Sequence, residues 1–441
     1  MSDGWFHPSR RPYRFTLLLI VSLIIFGSYF AYDSVGAIED TLMKNLGIGQ
    51  SQIGTMYSMY SWAAILTLLG GGLLIDKIGT RKSSLIFSGL VAIGAAIVSF
   101  APNLWTLYIG RFIFGAGSES LIVCQSAILA RWFKGKELAL SFGICLTMSR
   151  VGTLFTFNTE ALIAQRWSPS MALIVATGLC VLSLLANMLY VGMDKHAEPI
   201  LGLKEEGAGD KIDWSQIWKF PSSYWFVTIL CVTFYSAIFP FTALSTNFFH
   251  EKWQLPLTAE ATGGFLGDIF ANFTHMFSTA PGTTSIIIFA SMCCAPFAGG
   301  IVDKIGRRAS LMVLGSLLMI PAYVALGFTD MPPRYPMMVL GGAFVLVPAA
   351  MWPSIPLLVE KNKVGTAFGL MTMVQNVGLA AFPWFNGILR EHTQNYQASM
   401  IMFASLGIVG FVFAILLRRS DKRMGMILER SGKPPASQPA S

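Results

Sequence analysis

The chain contains the stretch GLLIDKIGTRK at residues 72–82 and a near copy, GGIVDKIGRR, at residues 299–308. Each copy joins two long apolar segments, and the copies lie about half of the 441 residues apart. A second match has almost the same offset, since FGICLTMSRVG at 142–152 aligns with FGLMTMVQNVG at 368–378. Two copies in the same orientation form one of the two repeat plans of membrane transporters. The duplication therefore predicts a membrane carrier built from two halves.

The composition also indicates a membrane protein. Hydrophobic residues make up 54% of the chain and charged residues 12%, which is atypical of a soluble domain. Apolar runs near twenty residues recur, and each could cross about 30 Å of hydrocarbon as a helix. Because backbone polar groups must be paired in hydrocarbon, we predict an all-α polytopic membrane protein with twelve transmembrane helices. The predicted spans are 12–36, 51–75, 83–101, 104–133, 137–163, 169–193, 221–249, 284–302, 309–328, 334–360, 365–391 and 396–418.

The predicted helices divide into two six-helix halves, 1–193 and 221–418, joined by a polar cytoplasmic linker at 194–220. Residues 419–441 have the composition of a disordered cytoplasmic tail. The net charge is +8, and Lys and Arg concentrate in both tails, the linker and the loops on the same side. The positive-inside rule then predicts that both termini are cytoplasmic. Because the basic charge reflects topology, we expect the lipid bilayer and not nucleic acid as a partner.

The sequence indicates neither catalysis nor a cofactor. All six Cys lie inside predicted helices, where they are most simply small apolar packing residues. The sequence shows no nucleophile–base pattern and no metal-ligand spacing. We therefore expect no enzyme activity, no cofactor and no metal.

Two charges lie near the middle of predicted helices. Glu119 is about fifteen residues into the fourth span, and Arg150 is about thirteen residues into the fifth. A charge at the membrane midplane costs at least a few kcal/mol, so it should face a cavity or a partner. Together the two suit a zwitterion, with Glu119 binding an ammonium and Arg150 a carboxylate. A fixed buried ion pair and a proton relay are the alternatives.

The repeated loop predicts a latch. An Asp at the cytoplasmic end of a helix, followed by Gly and basic residues, can pair with cations or a helix N-terminus in the other half. Ordinary positive-inside loops with turn glycines are the alternative. The residues expected to close the cytoplasmic side are Asp76, Arg81, Asp303 and Arg307.

Together with RFIFGAG at 111–117, the repeated loop resembles the signature motifs of the major facilitator superfamily. The resemblance covers about residues 12–418 and implies the fold of that superfamily. It also implies a gating or coupling role for Arg111. The alternative is an anchor whose side chain extends to the membrane surface. Asp33, near the outer end of the first span, could partner Arg111, contact the ligand or form a helix-end hydrogen bond.

Aromatic and amide side chains would complete the predicted pocket, although a single aromatic residue at such a position more often faces lipid or core. Buried amides are costly to leave unpaired, which favours a polar cavity or a neighbouring helix. The candidates for substrate binding are Tyr29, Tyr57, Tyr60, Trp62, Tyr235, Trp352, Gln375 and Asn376.

Within the superfamily, several segments resemble the family of major facilitator superfamily domain-containing protein 1, whose members are lysosomal dipeptide uniporters. This family recognises the two charged ends of a dipeptide. Its acid in helix four and its Arg in helix five match Glu119 and Arg150. The segments that carry the resemblance are 27–33, 60–62, 110–121, 132–138, 148–152, 352–356 and 375–378.

We therefore expect a carrier that moves dipeptides or other small zwitterionic peptides by alternating access. Uniport is favoured because no second intramembrane acid accompanies Glu119 as an obvious proton relay. A proton-coupled symporter or exporter of drugs or metabolites is the alternative. A non-transporting membrane sensor is a lesser one, since the chain has no large soluble domain. The N-terminal tail has no acidic dileucine signal, so we expect a plasma membrane, in particular a bacterial inner membrane. The loop 250–283 is long and departs from the family pattern, so an accessory subunit is not implied.

Overall fold

The computed structural model describes residues 7–133, 137–202, 220–360 and 363–430. Throughout these residues the secondary structure is helical, with no strand. Two short 3₁₀ turns occur at Met276–Ser278 and Trp352–Ser354. The α-helices are α1 (Arg11–Ala37), α2 (Glu39–Leu46), α3 (Gln50–Ser99), α4 (Leu104–Phe133), α5 (Leu138–Arg166), α6 (Pro169–Leu201), α7 (Ser222–Ala243), α8 (Ser245–Trp253), α9 (Phe265–Thr274), α10 (Ala280–Ile305), α11 (Arg308–Phe328), α12 (Arg334–Met351), α13 (Ile355–Leu358), α14 (Val364–Thr393) and α15 (Gln397–Arg423).

Among the described residues, ten helical segments are long and apolar enough to cross a membrane. They account for ten of the predicted spans. The other two predicted spans correspond to the part of α3 before Lys77 and to α10, within which Ala280–Ala295 is a shorter described apolar segment. The all-α, multi-pass class is confirmed, and the count of twelve stays a prediction.

Both copies of the repeated loop bend the chain at a glycine. Inside α3, Gly79 has φ 81° and ψ 166°, a conformation that is essentially restricted to glycine. In the second copy Gly306 has φ 69° at the junction between α10 and α11. A residue without a Cβ adopts such backbone at little cost. The sequence duplication thus coincides with a duplicated turn.

The helices belong to two compact units. The first comprises Met1–Lys211, Thr242–Ser285 and Leu379–His392, and within it α3 packs on α4 while α1 packs on α5 and α6. The second comprises Ile212–Phe241, Ile286–Gly378 and Thr393–Ser441, and within it α11 packs on α12 and α15.

Glycines allow α3 and α4 to approach closely. A Cβ added at Gly115 would lie 2.3 Å from the carbonyl oxygen of Tyr60, and one at Gly117 would lie 2.5 Å from that of Phe87. Small residues at helix interfaces permit this approach inside membranes, where packing replaces the hydrophobic effect as the cause of association. The glycines of the α4 motif therefore bring Glu119 next to Tyr60.

The ends of the predicted linker and tail differ in detail from the sequence expectation. Helix α6 continues past residue 193 to Leu201, so the first residues of the predicted linker are helical. Helix α15 ends at Arg423, and the buried Leu428 donates its backbone N–H to Asp421 Oδ1 at 2.9 Å. Residues 203–219 of the linker and 431–441 of the tail lie outside the described residues.

Candidate substrate site

Glu119 of α4 lies at the centre of a small network of hydroxyl groups in the first unit. The phenol of Tyr60 donates to Glu119 Oε1 at 2.8 Å, and its oxygen lies 3.1 Å from Ser118 Oγ. Ser118 Oγ in turn lies 2.7 Å from Ser28 Oγ of α1. The Glu119 side chain is half-buried, so it combines a fixed orientation with access. A carboxylate held in this way can accept an ammonium group.

Tyr29 of α1 lies near the other predicted charges of this unit. The charges of Arg150, Glu119 and Asp33 all act on its hydroxyl group. Both Tyr29 and Arg150 are half-buried. The charges of Glu119, Arg150 and Asp33 thus lie within electrostatic range of the Tyr29 phenol, and a common substrate pocket stays a prediction.

Arg111 is buried, with only 2% of its surface exposed. Its guanidinium carbon lies 4.9 Å from the ring centroid of Tyr57, 5.3 Å from that of Tyr32 and 5.7 Å from that of Tyr60. Cation–π contacts of this kind stabilise a desolvated guanidinium by up to about 2 kcal/mol each. The carbonyl oxygens of Ala31 and Tyr32 also accept from it at 3.4 Å. The alternative of a side chain reaching the membrane surface is therefore wrong.

Asp33 is engaged by α5. Its Oδ2 accepts a hydrogen bond from Thr153 Oγ1 at 2.6 Å, and 6% of the residue is exposed. Within the described part of the chain it forms no ion pair with Arg111. The observed hydrogen bond joins Asp33 to another helix and is not a bond at its own helix end, and a contact of Asp33 with ligand stays a prediction.

The two remaining aromatic candidates on α3 differ in burial. Tyr57 is 1% exposed and contacts Arg111, whereas Trp62 is 47% exposed. Five positions along an α-helix correspond to about 140° of rotation, so the two residues lie on different faces. Tyr57 therefore belongs to the cluster around Arg111, and Trp62 lies outside it.

In the second unit the predicted candidates form their own aromatic cluster. Trp352 Nε1 donates to the phenolic oxygen of Tyr235 at 3.0 Å, and the Tyr235 ring stacks on Phe239 with centroids 5.6 Å apart. Gln375 Oε1 accepts from Cys231 Sγ at 3.5 Å. Asn376 is 1% exposed and donates to the Thr372 carbonyl at 3.1 Å.

The basic residue of the first latch loop pairs with the end of α6. Arg81 Nε donates to Asp194 Oδ2, and Arg81 Nη1 lies 2.8 Å from Glu198 Oε2. The fully buried Asp194 also binds Arg131 at 2.8 Å and Trp132 Nε1 at 2.7 Å. Arg81 therefore pairs with the first residues of the predicted linker, which are helical in α6, and a pairing of the loop with the other half stays a prediction.

In the second copy of the loop, Arg307 is exposed. Its backbone N–H donates to the carbonyl of Glu429 at 3.3 Å. The side chains of Asp76 and Asp303 lie outside the described part of the structure, so their predicted latch role stays a prediction.

Glu160 of α5 is a buried acid that the sequence motifs do not single out. This carboxyl group is fully buried, accepts one hydrogen bond from Ser34 Oγ at 2.9 Å, and has no partner for Oε1 among the described residues. The signal was available, because residue 160 falls inside the predicted span 137–163. It lies near the end of that span, where a solvated acid is the ordinary expectation.

The described helices and the buried charges between them define a multi-pass membrane transport protein. The model of the Major Facilitator Superfamily matches residues 21–280 and 257–437. The chain therefore belongs to the Major Facilitator Superfamily, a family of non-enzymatic secondary transporters.

Individual proteins give a narrower comparison. The lysosomal dipeptide transporter MFSD1 of Danio rerio is 30% identical, and the alignment covers 98% of this chain and 93% of that protein. The protein of the same name from Homo sapiens is 30% identical over 94% of this chain and 88% of its own length. A crystal structure of the peptide transporter POT has the same fold, with a TM-score of 0.72 at 11% identity, covering 93% of this chain and 95% of that one.

Proposed function

We propose that the chain carries small zwitterionic peptides, most simply dipeptides, across a membrane by alternating access. The observation that carries this proposal is the half-buried Glu119 carboxylate, oriented by Tyr60, with Arg150 within electrostatic range of the same phenol, Tyr29. A carboxylate and a guanidinium match the two ends of a dipeptide without selecting its side chains. The dipeptide transporters among its relatives support the same substrate class.

The expectation of uniport depended on no second intramembrane acid accompanying Glu119 as an obvious proton relay. The buried Glu160 removes that premise. Proton-coupled symport is therefore a second candidate, and transport with and without a pH gradient separates it from uniport.

Orientation and membrane are proposed from the sequence. Both termini are assigned to the cytoplasm by the distribution of Lys and Arg, and the plasma membrane is the proposed location. A tag at each terminus, detected in intact and in permeabilised cells, tests the assignment of both termini to the cytoplasm. Detection in intact cells would contradict the cytoplasmic assignment.

Uptake of a labelled dipeptide into proteoliposomes tests the proposed function. Glu119→Gln and Arg150→Ala should each abolish uptake, while the elution profile of the detergent-solubilised protein stays unchanged. Normal uptake by both variants would contradict the model of zwitterion binding.

Blocked dipeptides assign each charge to its partner. For the wild type, an N-acetylated or a C-amidated dipeptide should compete about 10- to 100-fold less well, because each lacks one charge-assisted hydrogen bond worth about 1.5–3 kcal/mol. In residual binding to Glu119→Gln, the penalty for N-acetylation should disappear and that for C-amidation should remain. Arg150→Ala should show the reverse. Equal penalties in both variants would mean that neither residue contacts the peptide ends.

A further inference from the structure

Glu160 lies in a buried polar site that the substrate pocket does not explain. Its only hydrogen-bond donor among the described residues is Ser34 of α1, at 2.9 Å. No described cation forms an ion pair with it. A buried carboxylate without a cation is far more costly than the neutral acid, which leaves at most a hydroxyl group unsatisfied. The surroundings of Glu160 therefore suit the protonated side chain.

Charged groups on α1, α2 and α9, which pack against α5, have partners other than Glu160. Asp33 of α1 accepts from Thr153, Asp40 of α2 pairs with Lys44 at 2.7 Å, and Asp268 of α9 pairs with Arg166 at 3.0 Å. None of the described charged groups on these elements makes a hydrogen bond or ion pair with Glu160. Arg111 and Glu119 of α4 and Glu39 of α2 also lie on helices packed against α5, and they contact Tyr57, Tyr60 and Gln50, respectively.

Residues 242–285 cover the turns of α1 and α5 that carry Ser34 and Glu160. A Cβ added at Gly36, two residues beyond Ser34, would lie 2.7 Å from the carbonyl oxygen of Ala243. Two residues before Glu160, Asn158 Nδ2 donates to Ser285 Oγ at 3.1 Å. Alternating access requires α1 and α5 to separate from residues 242–285 at their non-cytoplasmic ends. Separation would bring water to Glu160, where its proton can leave.

We propose that Glu160, with Ser34, is a proton-binding site that couples dipeptide transport to a proton gradient. Glu160 takes up a proton when residues 242–285 have moved away from α1 and α5. It keeps the proton while residues 242–285 cover it. The cargo is then one proton together with one peptide, and the peptide ends remain bound by Glu119 and Arg150. This inference rests on the proposed function for its coupling, but the proton site itself can be observed without peptide.

Two transport assays in proteoliposomes separate the proton site from the peptide site. In wild-type vesicles, a pH gradient with the acidic side outside should concentrate a labelled dipeptide several-fold above equilibrium. Glu160→Gln should lose this accumulation and keep counterflow exchange of dipeptide without a gradient. Glu260→Gln, which removes an exposed acid on the same predicted side, should behave as the wild type. No accumulation in the wild type, or equal accumulation in Glu160→Gln, would overturn the proposal of coupling.

A measurement without peptide tests the proton site even if neither the wild type nor any variant transports dipeptides. Infrared difference spectra at neutral pH should contain a protonated carboxylic acid band that is absent from Glu160→Gln and shifted in Ser34→Ala. If dipeptide transport fails but this band is present, the proposed substrate is wrong and the proton site stands. If the band is unchanged in Glu160→Gln, the proton site is wrong whatever the substrate.

Discussion

Arg111 shows how a single charged side chain is stabilised inside this protein. Its partners are the π faces of neighbouring tyrosines and two backbone carbonyl groups instead of a carboxylate. Two of those rings, Tyr32 and Tyr60, also pack edge to face on each other at 4.7 Å. Because Tyr60 contacts Arg111 and donates to Glu119, it links the buried cation to the candidate substrate carboxylate.

Tyr60→Phe tests this link at the scale of one hydroxyl group. The substitution keeps the ring beside Arg111 and removes the hydrogen bond to Glu119. A hydrogen bond to a charged group contributes about 1.5–3 kcal/mol, so we expect dipeptide KM to rise about tenfold or more with a smaller change in kcat. The discrimination against N-acetylated dipeptide should fall as well.

The control is Tyr335→Phe, which removes a hydroxyl group from an exposed tyrosine of α12. It should leave KM unchanged. If Tyr60→Phe also leaves KM and the N-acetyl discrimination unchanged, Tyr60 does not position Glu119 for substrate.

At the scale of helices, sequence patterns located the elements better than they located the partners of charged residues. The predicted end of the sixth span at residue 193 placed Asp194 in a solvated linker. In the structure α6 continues and buries Asp194 against Arg81 and Arg131. Hydropathy falls where charges begin, although a helix can continue when those charges are paired by neighbouring helices. Such pairing depends on tertiary contacts that periodicity does not contain.

The turn at Gly79 gives a prediction for the element α3. Alanine at this position would have to adopt φ 81° and ψ 166°, which costs about 1–3 kcal/mol or more for a residue with a Cβ. We therefore expect Gly79→Ala to lower the thermal stability of the detergent-solubilised protein by several degrees.

Gly89→Ala is the matched control in the same helix. An added Cβ at Gly89 meets no atom within 4 Å, and alanine favours the helix by about 1 kcal/mol over glycine. This variant should be as stable as the wild type or more stable. Equal stability of the two alanine variants would contradict the assignment of the bend to Gly79.

For the whole molecule, the duplicated motifs and apolar runs were enough to predict the fold class and family, because both depend on patterns repeated along the chain. The midplane charges Glu119 and Arg150 were identifiable from their positions in spans. Glu160 also lies inside a predicted span, but near its end, and its hydrogen bond from Ser34 of another helix is a tertiary contact that the sequence does not show. The ring cluster around Arg111 likewise requires side chains from three helices, and their approach is set by close helix packing that sequence spacing does not reveal.

The packing of the first unit contains a further buried acid outside the candidate spans. Glu39 of α2 is fully buried, accepts from Gln50 Nε2 at 3.1 Å and accepts from the backbone N–H of Asn247 at 3.3 Å. Burial raises the pKa of Glu39 to about 8, and the neighbouring acids Asp40 and Glu251 add to the effect. The start of α3, α2 and α8 therefore meet around a carboxyl group that favours a proton.

This environment predicts a pH dependence of stability. Between the ordinary Glu pKa of about 4.3 and the raised value, the folded protein holds a proton that the unfolded chain releases. The contribution of Glu39 is thus fully present at acidic pH and is lost as the pH rises towards 8. In Glu39→Gln the amide is neutral at every pH, so the melting temperature of the wild type should fall relative to this variant between about pH 5 and pH 8. Glu260→Gln should follow the wild type across the same range. A constant difference between wild type and Glu39→Gln would mean that Glu39 is ionised in the folded protein throughout.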